Sequence, residues 1–104
     1  MKVELLYFEG CPTHEQAEKL LREVLEEEGI DVKIEKILVE SEEKAEELKF
    51  IGSPTIKING KDVDPTAEQR KNYGLTCRMY FTDEGAKGWP SKTMIKKAII
   101  EARK

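Results

Sequence analysis

The sequence predicts an α/β domain: a four-stranded mixed sheet flanked by three helices. Two observations carry this reading. Strand-like and helix-like segments alternate through the first half, which calls for two parallel strands joined by a right-handed crossover. Asn59-Gly60 then follows the short strand "PTIKI", and Asn-Gly is a strong hairpin signal that calls for an antiparallel pair in the second half.

The elements follow in order. "KVELLYF" is short and apolar on both faces, as suits a central strand covered on both sides. From Pro12 to Glu28 the apolar residues Ala17, Leu20, Leu21, Val24 and Leu25 recur at helical spacing, and Gly29 follows as a stop. "DVKIEKILV" is strand-like, with Val32 and Ile34 on one face and a change of phase before Ile37 and Val39. Ser41 is placed to cap a second helix, "EEKAEELKF", with Ala45 and Leu48 inward. Residues 61–75 are polar and without a clear period. "TCRMYF" reads as the last strand, "DEGAKGWP" as a loop, and Ser91 to Arg103 as a final helix with Met94, Ile95, Ala98, Ile99 and Ala102 on one face.

Composition narrows the function classes. A chain of 104 residues holds one compact domain with a modest core, so residues 1–104 are expected to form a single unit. The formal net charge is −3 and no cluster of Lys or Arg stands out, which disfavours nucleic-acid and membrane binding. The longest apolar stretches are strand-sized, and "MKVELLYF" carries Glu4 and no small-residue cleavage site, so no bilayer span or signal peptide is expected. Two cysteines do not make a disulfide-stapled scaffold; free thiols in a reducing cytoplasm are the expectation.

"FEGCPTHEQA" places one of those cysteines where the first strand meets the first helix. Cys11 reads either as a small buried filler or as a reactive thiol. Proline is favoured at the first position of a helix, so Pro12 puts Cys11 at or beside the N-cap. Unpaired N–H groups and the positive end of the helix dipole there favour the thiolate, the nucleophilic form, and the position tilts the reading toward reactivity. His14 lies one turn on, where it can face Cys11, as a cation beside the thiolate or as a base for the thiol proton; the alternative is an exposed first-turn histidine. A Cys-His pair is too few ligands for structural zinc. Asp62, Asp64 and Glu68 read as a turn-rich loop or as an acidic pair, and no metal site is assigned to them.

The element order, "GCPTH" at the strand–helix junction and "IGSPTIKING" resemble the thioredoxin superfamily, with residues 61–75 as an insertion. More narrowly, Gly-Cys-Pro, Gly-Ser-Pro-Thr and a later Cys-Arg-x-Tyr resemble small bacterial thioredoxin-like proteins, some labelled alkylmercury lyase-like. The resemblance implies a thioredoxin-like fold and a cis Pro54 facing Cys11. It further implies that Ser53 offers its backbone to an extended substrate or to glutathione, and that Thr55 starts the strand. The departure is His14, which stands where thioredoxin has a second cysteine. Cys77 is a candidate for that missing resolving thiol, or a strand cysteine packed against the core. If "TCRMYF" runs antiparallel to the strand from Pro54, Cys77 starts at the far end, away from Cys11, and Arg78 and Tyr80 share the opposite face. Trp89 lies in a loop that in this fold approaches the cysteine, to line a groove or to pack under the last helix.

The expected function is thiol-dependent redox chemistry. Cys11 would attack a disulfide or an oxidised thiol of a protein or small molecule, and Cys77 or external glutathione would release the mixed disulfide. No cofactor is implied. Two other readings stay open: a soft-metal or organomercurial binder using the thiolates of Cys11 and Cys77, and a non-catalytic interaction module.

Overall fold

The computed structural model describes residues 1–104. Strands β1 (Val3–Tyr7), β2 (Ile34–Leu38), β3 (Thr55–Ile58) and β4 (Lys61–Asp62) form a mixed sheet in the order β2-β1-β3-β4. β1 runs parallel to β2 and antiparallel to β3, and the Asn59-Gly60 turn returns β4 antiparallel to β3. Asn59 takes a φ of 52°, as such a turn requires.

The alternation of side chains across β1 divides the core. Val3 and Leu5 face helices α1 (His14–Glu27) and α3 (Lys92–Ala102), in a cluster with Leu21, Val24, Ile56, Ile58, Ile95 and Ile99. Leu6 faces the other way and meets Val39, Phe50 and Ala45 of helix α2 (Glu42–Leu48). Each fully buried aliphatic side chain contributes about 1.5–3 kcal/mol, so the two clusters fix which face each helix covers. Ser41 and Ser91 cap α2 and α3, accepting from the Lys44 and Met94 amides.

The second half departs from the expected order. The fourth strand of the sheet is β4, not "TCRMYF", because the Asn-Gly turn reverses the chain at once. A 3-10 helix (Pro65–Gln69) capped by Asp64 follows. Residues 76–78 then run parallel beside Ser53, and β5 (Tyr80–Thr82) forms a separate hairpin with β6 (Gly85–Lys87), where a plain loop was expected.

Candidate active site

The candidate residues lie on the turn before α1, which carries Cys11, and on the loop 52–55 before β3, with which residues 76–78 pair in turn. The turn comes first. The helix starts at His14 with Thr13 as its N-cap, so Cys11 stands two residues ahead of the cap rather than beside it. It is 3% exposed. The Thr13 hydroxyl lies 3.3 Å from its sulfur. Burial pushes the thiol pKa up, but the Ser53 and Thr13 hydroxyls and the Thr13 and His14 amides outweigh it, and the net shift is downward.

His14 turns to the backbone of Cys11 rather than to its sulfur, where the sequence suggested it would face. Its Nδ1–H donates to the Cys11 carbonyl at 2.7 Å, and its ring stacks on Tyr7 with centroids 4.5 Å apart. A carbonyl only accepts, so the nearest acceptor has captured the ring and His14 braces the turn. Gly88 packs against the same turn, where a Cβ would sit 2.9 Å from Thr13 Cγ2. Trp89 is half-buried and packs on the main core.

The loop 52–55 supplies the second segment. The Ser53–Pro54 peptide bond is cis. Ser53 is completely buried, and its hydroxyl is left without a hydrogen-bond partner, close enough to Cys11 to help lower the thiol pKa. The backbone of Ser53 is already engaged. Its N–H donates to the Thr76 carbonyl at 2.8 Å, and the Arg78 N–H donates to its carbonyl at 3.0 Å. The groups that the resemblance offered to a substrate are thus held by the chain's own residues 76–78.

That pairing puts Cys77 beside the residue before Pro54, not at the far end of β3 as the sequence suggested. Cys77 sits directly opposite Ser53 in a parallel bridge, one strand spacing away or about 5 Å, with its side chain exposed. Facing residues of a parallel pair project to the same side, so the Cys77 side chain lies beside that of Ser53. Both cysteines are free thiols.

Arg78 and Tyr80 hold this arrangement from beneath. The Arg78 guanidinium donates to both Asp62 oxygens at 2.7 and 2.9 Å and to Thr55 Oγ1 at 3.1 Å. Thr55 Oγ1 in turn donates to the Gly52 carbonyl at 2.6 Å, and the Tyr80 hydroxyl donates to the Pro54 carbonyl at 2.6 Å. Asp64 joins Arg78 at 3.6 Å and Arg70 at 2.9 Å. Asp62 and Asp64 are therefore counter-ions of the buried arginine, and Glu68 takes no part. Burial pushes the Tyr80 phenol far up, so it remains a neutral donor. Gly52 permits the close approach: its φ is 147°, and a Cβ there would lie 2.8 Å from Arg78 Cβ. No group of three or more His, Cys, Asp or Glu side chains converges as a metal site would require.

Sequence reasoning passed over Thr13, Tyr7 and the Arg78–Asp62 pair. Thr13 was legible as a hydroxyl two residues from the thiol. The ion pair was not, since its partners are 16 residues apart across a segment without periodicity.

Fold and site together define a thiol protein on a thioredoxin-type sheet. The family model of the thioredoxin domain matches residues 1–63, and the chain belongs to that family. No curated protein and no solved structure matches it. The matched stretch holds Cys11 and Ser53–Thr55, whereas Cys77, Arg78 and Tyr80 lie beyond it. No helix is long and apolar enough to cross a membrane.

Removing the Ser53 hydroxyl tests its part in the site. In a Cys77→Ser background only Cys11 contributes a thiolate signal, so its titration is read from ultraviolet absorbance against pH. Adding Ser53→Ala is expected to move that titration upward, because a donor to the charged form is lost. An unmoved titration would show that the hydroxyl does not act on the sulfur.

Proposed function

We propose that this protein performs thiol–disulfide exchange, cycling between two thiols and a Cys11–Cys77 disulfide. The observation that carries this reading is the pairing of Cys77 with Ser53, the residue that precedes the cis Pro54 and helps lower the Cys11 pKa. Membership of the thioredoxin family supports it.

Exposure orders the steps. Cys11 is 3% exposed, whereas Cys77 is open to solvent. The Cys77 thiolate attacks an external disulfide; that S–S bond breaks, and one external thiolate leaves and takes up a proton. Cys11 then attacks the Cys77 sulfur as a thiolate, forming the internal disulfide and releasing the second external thiol. Two protein thiols are oxidised and one external disulfide is reduced by two electrons; the reverse sequence oxidises an external dithiol. The Ser53 and Thr13 hydroxyls hold the charge on Cys11, as nucleophile in one direction and as leaving group in the other. Cys77 thus fills the role of the second cysteine that His14 displaces from the helix.

The test is mass spectrometry after incubation with 2-hydroxyethyl disulfide, together with an insulin-reduction assay. The expected product is an intact monomer lighter by two hydrogens, with Cys11 and Cys77 linked in the peptide map, and measurable insulin reduction. Two persisting thiols, or a disulfide only between chains, would overturn the reading.

A further inference from the structure

In the segment that carries Cys77, burial alternates without a break. Arg78 and Tyr80 are buried, while Cys77, Met79 and Phe81 are exposed, Met79 at 49% and Phe81 at 83%. Phe81 is the most exposed large apolar side chain of the molecule. The row spans four residue steps, or about 13 Å of extended chain.

The backbone of the same row has one open edge. Thr76 C=O and Arg78 N–H point toward Ser53, so the polar groups of Cys77 and Met79 point the other way. The amides of Cys77 and Met79 donate to nothing in the chain, and the Met79 carbonyl accepts from nothing. Exposed edges are commonly blunted by Lys, Pro or an inward charge. Neither Lys nor Pro occurs among the outward residues Cys77, Met79 and Phe81, and the one inward charge of the segment, Arg78, is paired with Asp62.

We propose that the outer edge of residues 77–81 is a docking strip for an extended, apolar polypeptide, the carrier of the disulfide that Cys77 attacks. The identity of that substrate rests on the exchange reading; the strip itself does not. A polypeptide is the occupant because the strip offers what one requires. Unpaired amides alternate with open positions to extend a strand, and apolar side chains lie at every second residue beside them. A small disulfide engages neither feature. The strip is also continuous with the thiol, so a segment seated on Met79 and Phe81 brings its own sulfur to Cys77. Since Ser53 is closed off by residues 76–78, the docking edge has moved outward by one strand.

The probe is a fluorescein-labelled peptide of about ten residues, alternating valine and threonine around a central serine that replaces the cysteine. Binding is read by anisotropy and by amide chemical shifts. Wild type is expected to bind saturably with shifts confined to residues 76–82. Phe81→Glu and Met79→Glu are each expected to weaken binding about tenfold. Ile100→Glu, at an exposed apolar residue on α3, is expected to leave it unchanged. No binding to wild type, or an equal loss in Ile100→Glu, would overturn the proposal. So would sedimentation showing a dimer that Phe81→Glu dissolves while the peptide stays free, since a second copy would then be the occupant. The probe carries no sulfur: peptide binding without any Cys11–Cys77 disulfide would sink the exchange reading alone, and the converse would sink the strip alone.

Discussion

Replacing Arg78 by Met is expected to destabilise the fold by about 3–5 kcal/mol, the loss typical when one partner of a buried ion pair is removed. The Arg78 side chain is 1% exposed and that of Asp62 is 9% exposed, so water replaces little of what is lost. Met fills much of the same volume, yet it leaves the Asp62 carboxylate without its two guanidinium bonds and Thr55 Oγ1 without a donor. The contact of the guanidinium over the Tyr80 ring, 4.3 Å from its centroid, is lost as well. The same logic predicts rescue. Adding Asp62→Leu removes the stranded charge, and a well-packed apolar pair often equals a buried ionic one. The double variant is therefore expected to recover most of the loss. Urea unfolding followed by circular dichroism measures both. A loss below about 1 kcal/mol in the single variant, the range of surface pairs, would show that the network contributes little.

The first half of the fold was legible because its signals are local. Apolar spacing in α1, the serine cap before α2 and Asn59-Gly60 each act within a few residues, and the structure shows the elements they predict, on a sheet of order β2-β1-β3-β4. Cys11 was legible in part: the strand and the helix on either side of it were, but the helix starts at His14, so Cys11 stands ahead of the cap rather than at it. The position of Cys77 was not. It depends on a bridge to Ser53, 24 residues away, and on Arg78 reaching Asp62. "TCRMYF" has the period of a strand, and period alone does not name the neighbour. The alternation that hides Arg78 and Tyr80 and exposes Cys77 was written in the sequence; only the partner edge was missing. His14 shows the opposite limit. One-turn spacing correctly brought it near Cys11, but the choice between the carbonyl and the sulfur of that residue is made by geometry finer than spacing.

The two single-cysteine variants are expected to fail differently, and the difference reports which sulfur meets the outside disulfide. Cys77→Ser keeps the thiol of lowered pKa, but Cys11 is 3% exposed and its sulfur lies 3.3 Å from the Thr13 hydroxyl. Exchange with an external disulfide should fall by about 100-fold or more, because the attacking thiolate no longer has an open line to its target. Cys11→Ser keeps the exposed Cys77, so the first attack still occurs. The internal attack that completes the cycle is then missing, and an external thiol replaces a neighbour of high effective concentration only slowly. This variant is expected to accumulate as a mixed disulfide on Cys77, one reagent thiol heavier by intact mass, with net turnover also down by about 100-fold. If instead Cys77→Ser accumulates the adduct on Cys11 while Cys11→Ser stays unmodified, Cys11 is the first nucleophile. Cys11, now 3% exposed, must then become accessible in every cycle.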